Sequence, residues 1–410
     1  MKKYVFLTFA VSGVGGTQIY VRNKLLFLQK HGWDVTVICT EPGHNVCVKE
    51  LKPYEDNVLP ELMKNPYIFS KKQRQDIIEK MKNIIGDADC EVVIETNFIQ
   101  VNLWGEILAE EIKAKHFAFL IQEDYSLSDL RYMKFYDFKY ERGELAGNTE
   151  FALTKLFEGY RDVPQDKKGE LLAVCYNTIE ECESEHDKAI TEVDYHIGSI
   201  GRINKPFVNP MVNDIKIFAE KHSDKTFQLV FFGGSPEQKD IDCIYDSVKD
   251  IDNLSVYVTG AIFPVPKRLL DKMDVFVSSA GAARTSSDAG YITIAVDAMD
   301  FDAIGIVGYT TKEILHRNPD LPYDSTGKLL ERILIDKEFE GLSPQVAVSN
   351  PDFMEVFKSH MQYLDDSVDT KEYYDIRNFK PKFINVLSYR LFGENGLQKV
   401  YSLLRKIKRG

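Results

Sequence analysis

The sequence has no long apolar run and few cysteines, and both absences limit the class of protein it can encode. No stretch reaches the roughly 18 consecutive apolar residues that a membrane-spanning helix requires. The six cysteines form no Cys-x-x-Cys pair and have no regular spacing, which argues against a zinc site or a disulfide framework. We therefore expect a reduced, cytoplasmic protein that is soluble or attached to a membrane only at its surface.

Excess positive charge is also absent. The 410 residues include 63 acidic and 51 basic side chains, which gives a net charge of -12. A protein that holds a phosphate backbone across a broad face needs the opposite balance. Nucleic acid is therefore not expected as a partner.

The beginning of the chain lacks the cleavage site of a signal peptide. Two lysines precede the apolar run Tyr4 to Phe9, but glycine-rich sequence and a polar helix follow. A buried first strand explains this pattern better than a secretion signal.

The final residues, 380–410, depart from the acidic balance of the rest. They include eight Lys or Arg and one Glu, a net charge of +7. Apolar residues recur there at helical spacing, at Phe383, Val386, Leu387, Leu391, Leu397, Val400, Leu404 and Ile407. A basic amphipathic helix of this kind can lie in an anionic membrane surface. Alternatively, the apolar stripe packs on the protein and the cations are solvated.

What the sequence does contain is a unit of strand, glycine loop and helix that occurs twice, at Lys2 to Leu28 and at Asp194 to Phe218. A chain of 410 residues with 44% apolar content can form two cores. Further strands are predicted at Trp33 to Cys39, Glu91 to Glu95, His116 to Ile121, Leu171 to Tyr176, Tyr195 to Ile200, Phe227 to Phe232, Leu254 to Val258, Asp274 to Ser278 and Ala303 to Val307. Strands that alternate with helices predict an α/β fold of two doubly wound, Rossmann-like domains.

The domain boundary is predicted in the polar stretch between Asn177 and Asp194. This gives an N-terminal domain at residues 1–185, a second domain at residues 186–347 and a helical C-terminal extension at residues 348–410.

The first glycine loop matches part of a dinucleotide-binding fingerprint. Gly13 and Gly15 take the first two places of G-x-G-x-x-G, but Gln18 takes the third. Glu41 follows the second strand, where it could hold a ribose. A nicotinamide-dependent dehydrogenase is therefore one alternative.

The second glycine loop, Gly201-Arg202-Ile203-Asn204-Lys205, offers different chemistry. The guanidinium of Arg202 can form a fork with two phosphate oxygens, and Lys205 adds a point charge. Together they match a diphosphate leaving group, whose negative charge grows as its bond breaks. The alternative is a pair of ordinary surface cations.

Three more segments follow in order. Phe231-Phe232-Gly233-Gly234 ends one strand at a glycine turn, Asp274 to Ser279 ends another, and Gly290 to Met299 is predicted to be a helix aimed at the same cleft. With Gly15-Gly16-Thr17-Gln18 and the helix after it, this order resembles glycosyltransferase family 4, of the GT-B fold, over most of Lys2 to Thr311.

The resemblance implies that the second domain binds a nucleoside-diphosphate sugar and the first domain an acceptor. Arg202 and Lys205 would hold the diphosphate, and Gly201 and Gly233 would belong to the donor loops. Gly15 and Gly16 would let the first-domain loop approach the donor.

In that family a glycine-aromatic turn opens a helix with two glutamates eight residues apart, the first on the sugar and the second on the ribose. Here Gly290 and Tyr291 match the turn, and Asp297 takes the place of the second glutamate. Ala289 stands eight residues before Asp297, with Asp288 beside it. Either Asp288 substitutes for the first glutamate or the sugar contact is missing.

The segment Leu120 to Tyr125 resembles the Gln-Asp-Tyr segment of some rhamnosyl- and other polysaccharide glycosyltransferases. Glu123 or Asp124 would then contact the acceptor or accept its proton, since burial can tune a carboxylate for that work. The alternative is an acidic loop or helix cap.

The predicted activity is that of a hexosyl- or deoxyhexosyltransferase in bacterial cell-surface polysaccharide or glycoconjugate assembly, peripheral on the inner face of the cell membrane. Its partners would be the donor, a glycan or lipid-linked acceptor and an anionic membrane surface. Beyond the donor substrate it would need no cofactor and no metal. The alternative is a catalytically silent GT-B protein that stabilises another glycosyltransferase, a role that the missing acid at Ala289 would fit.

Overall fold

The computed structural model of the protein describes residues 2–42, 46–87, 89–121, 127, 129–148, 150–163, 169–175, 178–318, 320–344, 353–369, 371–391 and 393. These residues form two main sheets with helices packed on their faces. The predicted repeat is confirmed, because each of the two halves begins with a strand, a glycine-containing turn and a helix of 14 or 15 residues.

The first sheet has the strand order β2-β1-β3-β4-β5, and its pairs are parallel. Its strands are β1 (Lys2–Thr8), β2 (Trp33–Cys39), β3 (Glu91–Thr96), β4 (Lys115–Leu120) and β5 (Leu145–Gly147). Its helices are α1 (Gly16–Lys30), α2 (Lys71–Ile85), α3 (Ile99–Ile112), α4 (Leu130–Glu141) and α5 (Glu150–Leu156). Tyr4 to Leu7 are fully buried, as expected for a parallel strand covered on both faces.

A short parallel pair links the halves: β6 (Ile179–Glu180) lies beside β10 (Val265–Pro266). The second main sheet has the order β13-β12-β11-β7-β8-β9, and only the pair β12 and β13 is antiparallel. Its strands are β7 (Tyr195–Ile200), β8 (Phe227–Phe232), β9 (Leu254–Val258), β11 (Val275–Ser278), β12 (Thr293–Val296) and β13 (Ala303–Ile306). The accompanying helices are α6 (Val208–Lys221), α7 (Gln238–Val248), α8 (Lys267–Leu270), α9 (Ala280–Asp288) and α10 (Thr326–Leu330).

The predicted helix from Gly290 to Met299 is wrong. Thr293–Val296 is the buried strand β12, which pairs in parallel with β11. A short apolar run has the same pattern in a buried strand as in a buried helix, so periodicity alone does not separate them. The helix that follows β11 is instead α9, made largely of small residues.

The predicted strand from Leu171 to Tyr176 is also wrong within its described part. Residues 171–175 are mostly buried but belong to no strand. The strand beside β4 is instead the three-residue β5. The backbone N–H of Leu171 donates to Gly147 O at 2.9 Å, so this segment meets the sheet at its edge without extending it.

The C-terminal segment returns to the first half. Helix α11 (Phe353–Asp365) inserts Phe357 and Leu364 into the core cluster that contains β1, α1 and β2. A further helix, α12 (residues 383–391), follows and places Tyr389 against the cluster on the opposite face of the sheet. The basic residues from 394 onward lie outside the described residues.

The two halves are in contact with each other. Arg22 of α1 lies over the ring of Phe263, 5.5 Å from its centroid. The Sγ of Cys47 lies 3.8 Å from the carbonyl oxygen of Ala261. All six cysteines lie among the described residues, and no disulfide joins any two of them there. The described residues contain no helix with the length and hydrophobicity to cross a membrane.

Candidate functional site

The second sheet reverses its winding between β7 and β11, and the loops after these strands meet there. From β7 the chain proceeds through β8 to β9 on one side, while β11 and β12 lie on the other. The backbone N–H of Ile200, the last residue of β7, donates to Ser278 Oγ of β11 at 3.0 Å. In open α/β sheets, ligands bind beyond the carboxyl ends of strands at such a switch point.

Glycine allows the loops at this edge to approach closely. The N–H of Gly201 donates to Phe232 O at 3.1 Å. A Cβ added at Gly233 would lie 1.9 Å from Gly201 O, and one at Gly234 would lie 2.9 Å from the Cα of Gly260. Gly233 and Gly234, after β8, therefore let the turns after β7 and β9 pack directly on their backbone. The structure brings together Gly201 and Gly233, two of the residues predicted to belong to the donor loops.

Arg202 and Lys205 lie on the loop between β7 and α6. Both side chains are exposed. The loop is anchored to the domain, because Ile203 is buried and its backbone N–H donates to Gly234 O at 3.1 Å. Two cations therefore project from a fixed turn at the switch point.

The N-terminus of α9 lies at the same edge, and it is not among the site features predicted from the sequence. Ser279 precedes the helix, has 7% of its surface exposed, and its Oγ has no hydrogen-bond partner among the described residues. Ala282, in the first turn, lies 4.0 Å from the position of a Cβ on Gly201. The helix dipole favours an anion at such an end, and the first N–H of α9, that of Ala280, already donates to Ile314 O at 2.7 Å. The signal in the sequence was the run Ser278-Ser279-Ala280-Gly281, small residues directly after an apolar strand.

The structure separates three predicted donor residues from this edge. Asp288 ends α9, and Gly290 and Tyr291 form the turn that enters β12. Because α9 runs back along the parallel strands, this turn lies at their amino ends. Tyr291 OH donates to Asp271 Oδ1 at 2.6 Å, just before β11 begins, which fixes the turn there.

Asp288 is a buried carboxyl group in that remote position. Its side chain is 8% exposed and lies 3.9 Å from Arg284 Nε, and neither carboxyl oxygen has a hydrogen-bond partner among the described residues. Burial raises the pKa of Asp288, and the charge of Arg284 only partly opposes this. Burial likewise raises the pKa of Tyr291, with a further contribution from Asp271.

Asp297 lies at the carboxyl end of β12, two strands from β7. Its carboxylate accepts hydrogen bonds from the backbone N–H groups of Met299, Asp300 and Arg317, at 2.7, 3.2 and 2.7 Å. Burial opposes ionisation, but these hydrogen bonds outweigh it and lower the pKa of Asp297. A cavity of about 310 Å³ opens beside it, lined also by His316 and Tyr323. In this structure Asp297 organises a turn at the rim of that cavity.

In the first half, the predicted glycines begin α1 at the carboxyl end of β1. Gly15 is the N-cap residue, and a Cβ on Gly16 would lie 3.4 Å from the Cβ of Cys175. Gln18 Nε2 donates to Ala10 O at 3.0 Å, which closes the loop on itself. The predicted acceptor residues Glu123 and Asp124 lie outside the described residues.

Solved structures resemble the chain along most of its length. A glycosyltransferase from Rickettsia africae is 15% identical, with a TM-score of 0.58, covering 89% of this chain and 98% of that protein. Anabaena HepE in complex with UDP-glucose is 11% identical, with a TM-score of 0.54, covering 89% and 100%. The UDP-GlcNAc 2-epimerase of Neisseria meningitidis, bound to UDP-GlcNAc, is 13% identical, with a TM-score of 0.50, covering 90% and 100%.

These likenesses show the class of fold: the chain has the two-domain GT-B architecture, as the sequence predicted. No protein family model matches the sequence, and no curated protein matches it. The assignment to glycosyltransferase family 4 therefore stays a prediction.

Proposed function

We propose that the protein is a glycosyltransferase that binds the diphosphate of a nucleoside-diphosphate sugar at the switch point of the second sheet. One observation carries the proposal: Arg202 and Lys205 project from the loop that packs backbone to backbone on Gly233. The N-terminus of α9 lies beside the same loop. Two cations and a helix N-terminus on one glycine-lined edge are suited to a diphosphate.

The chemistry follows from these groups. When the bond between the sugar and the diphosphate breaks, negative charge grows on the leaving phosphate oxygens. The Arg202 guanidinium, the Lys205 ammonium and the amide groups of the α9 N-terminus would stabilise that charge. They form a fixed set of donors that does not depend on a metal ion, and we propose neither metal nor cofactor.

We also propose a smaller set of donor contacts than the sequence alone predicts. We assign donor binding to Gly201, Arg202, Lys205 and the α9 N-terminus with Ser279. Asp288, Gly290 and Tyr291 lie at the amino ends of the strands, and the Asp297 carboxylate already accepts three backbone N–H groups. Ala289 shares the remote end of α9, so its missing carboxylate no longer favours a catalytically silent protein.

The remaining parts of the proposal concern the acceptor. Gly15 and Gly16 place the N-terminus of α1 on the first-sheet side of the cleft, and Glu123 or Asp124 would contact the acceptor or accept its proton. Two of the similar proteins are described with UDP-sugars, which makes uridine nucleotides the first donors to test. We propose transfer of a hexose or deoxyhexose in bacterial surface-polysaccharide or glycoconjugate assembly.

The test is ligand binding by calorimetry and thermal shift, with UDP, GDP, dTDP, ADP, their sugar conjugates and NAD. A ligand at 100 times its Kd should stabilise the protein by about 2.7 kcal/mol. We expect one nucleoside diphosphate to bind and Arg202→Ala or Lys205→Ala to weaken it by about 10- to 100-fold, the loss of a charge-assisted hydrogen bond.

The matched control is Lys249→Ala, an exposed lysine at the C-terminal end of α7, at the other end of the sheet. It should bind the nucleotide like the parent protein. If no nucleotide or nucleotide sugar binds the parent protein, the donor site is refuted and a scaffold role replaces it. Binding of NAD alone would favour the dehydrogenase.

A further inference from the structure

The cavity at the carboxyl end of β12 combines polar groups with an apolar mouth. Its volume of about 310 Å³ is at the lower end of the range for small-molecule sites. Met299 and Leu321 are 77% and 57% exposed, which puts them at the mouth, whereas Asp297 is only 4% exposed and lies at the inner end. The other lining residues are Asp300, His316, Arg317 and Tyr323.

The protein itself holds the side chains of this cavity in place. Arg317 Nε donates to Asp300 Oδ2 at 2.5 Å, and its Nη2 lies 3.2 Å from Asp302 Oδ2. The same guanidinium lies over the ring of Tyr323, 5.0 Å from its centroid. Tyr323 OH donates to Asn318 O at 2.6 Å. A small ligand would therefore not have to order these groups, which lowers the entropic cost of binding.

Two of the polar side chains can form further hydrogen bonds. A carboxylate has about four lone-pair sites, and among the described residues Asp300 uses one for Arg317 and one for the backbone N–H of Asp302, at 3.1 Å. The His316 side chain is 48% exposed, and its Nδ1 lies 3.8 Å from Asp297 Oδ1, beyond hydrogen-bond distance. The cavity therefore offers a carboxylate and an imidazole to a ligand.

The charge of the cavity restricts the class of ligand. The carboxylates of Asp297, Asp300 and Asp302 lie around Arg317, so the site is negative and disfavours phosphate and carboxylate groups. Among the described residues no group of three or more His, Cys, Asp or Glu side chains could hold a metal ion. An organic cation would meet the guanidinium of Arg317 over the ring of Tyr323. A neutral ligand with several hydroxyl groups fits best.

The cavity adjoins the candidate donor edge. The N–H of Ala280, the first residue of α9, donates to Ile314 O at 2.7 Å, and the N–H of Ala298 donates to Leu315 O at 3.0 Å. The segment 314–315 therefore lies between the α9 N-terminus and the turn after β12. Strand β12 is two strands from β7, about 10 Å at the usual strand spacing. A ligand in the cavity would lie beside a diphosphate bound at the α9 N-terminus.

We propose that this cavity binds one neutral pyranose ring. Asp300 and His316 form hydrogen bonds with its hydroxyl groups, and Met299 and Leu321 pack against its C–H groups. The ring has two chemically equivalent sources, the sugar of the donor and a sugar unit of an acceptor glycan. The inference rests on the proposed function, because both sources are substrates of glycosyl transfer.

Saturation-transfer NMR of the full chain with free glucose, galactose, mannose, N-acetylglucosamine and rhamnose tests the cavity without a nucleotide. Calorimetry compares nucleotide sugars with their nucleoside diphosphates. Met299→Ala/Leu321→Ala should weaken binding of the pyranose by about fivefold, because apolar contact is lost. Asp300→Asn should weaken it by about tenfold, because a hydrogen bond to a charged group is lost.

The source of the ring decides which ligands these variants affect. If the ring belongs to the donor, both variants weaken binding of the nucleotide sugar and leave binding of the nucleoside diphosphate unchanged. If it belongs to an acceptor glycan, they weaken binding of a free pyranose and leave both nucleotides unchanged.

The matched control is Ile217→Ala in α6, which is 57% exposed like Leu321 and does not line the cavity. It should bind every ligand like the parent protein, and circular dichroism should show that all variants are folded. The proposal is overturned if both cavity variants bind every sugar and nucleotide sugar like the parent. It is also overturned if the parent binds no free pyranose and binds nucleotide sugars no more tightly than nucleoside diphosphates. A parent protein that binds no nucleoside diphosphate instead refutes the donor site, and the free sugars then test the cavity alone.

Discussion

A single pair of backbone groups determines the shape of the candidate donor edge. Gly233 has a φ of +157° and lies against the carbonyl group of Gly201. Any side chain at Gly233 would meet backbone atoms that have no flexible end to move aside. The loop that carries Arg202 can therefore sit on the β8 turn only when the residue beneath it is glycine.

Gly233→Ala should separate these two loops. The added Cβ would lie 1.9 Å from Gly201 O, so we expect a loss of more than about 3 kcal/mol in the free energy of unfolding. Nucleotide binding should be lost with it. Urea denaturation and calorimetry measure the two effects.

Gly341→Ala is the matched control for this prediction. Gly341 also has a positive φ, +73°, but a Cβ there would meet open space. We expect a cost of only about 1 kcal/mol, from the left-handed conformation alone. If the two variants lose the same free energy of unfolding, the requirement for glycine at position 233 comes from its backbone conformation and not from the close approach of the two loops.

At the scale of elements, helices and strands of the first half are joined through buried charged groups. His116 of β4 lies with Nδ1 2.6 Å from Glu106 of α3, and Lys139 of α4 lies 2.6 Å from the same carboxylate. Burial opposes ionisation of Glu106, but Lys139 and the hydrogen bond from His116 lower its pKa to about 2. A second set joins α11 to α1, since Lys24 lies 3.3 Å from His360 Nδ1.

These contacts predict how stability depends on pH. Burial lowers the pKa of His116 and of His360, with further lowering from Lys139 and Lys24 respectively. Because both pKa values lie below that of a histidine in the unfolded chain, about 6.5, the unfolded chain takes up protons at these rings first as the pH falls. Stability should therefore fall as pH falls below about 6.5, by up to about 1.4 kcal/mol per pH unit for each histidine. The depressed pKa of Glu106 adds a separate loss below about pH 4.

His360→Gln tests this dependence by urea denaturation at pH 7, 6 and 5. Glutamine can accept from Lys24 and donate to Leu172 O as the histidine does, but it does not titrate. The slope of stability against pH should fall, by up to about 1.4 kcal/mol per pH unit. The control His316→Gln changes a ring that is 48% exposed and should leave the slope unchanged. If the slope is the same in His360→Gln as in the parent protein, His360 is not a source of the pH dependence.

Elements also show what could be predicted from the sequence. The strands Trp33–Cys39, Tyr195–Ile200, Phe227–Phe232 and Leu254–Val258 have the predicted bounds, because buried parallel strands are short apolar runs between turn residues. The run before Asp297 was misassigned, and with it the location of Asp288 and Tyr291. Its apolar residues fit the period of a buried helix as well as that of a buried strand. The pairing with β11 shows that the run is a strand. The α9 N-terminus was missed because small residues carry no periodic signal.

At the scale of the whole molecule, the two halves differ in how the chain builds them. The main core of the second half uses buried residues from Ile197 to Phe339, a continuous stretch. The core of the first half uses residues up to Val174 and then Phe357 and Leu364 of α11. Two smaller clusters there add Phe379 and Tyr389. The C-terminal extension is therefore part of the first domain in packing, although it follows the second in sequence.

Fragments test this arrangement and the predicted domain boundaries. Residues 178–344 should fold cooperatively alone, because this stretch holds the main core cluster and keeps the pairing of β6 with β10. Residues 1–185 should not, since without α11 the rings of Tyr20 and Phe27 would lose Phe357, and Lys24 would lose His360. Removing the contacts of one buried phenylalanine lowers the free energy of unfolding by about 3 to 5 kcal/mol, which is a large share of the stability of a domain. Joining residues 1–185 to 348–410 through a flexible Gly/Ser linker should restore a cooperative urea transition. If residues 1–185 unfold cooperatively without the extension, α11 is an addition to a complete domain, and the C-terminal segment serves only to carry α12.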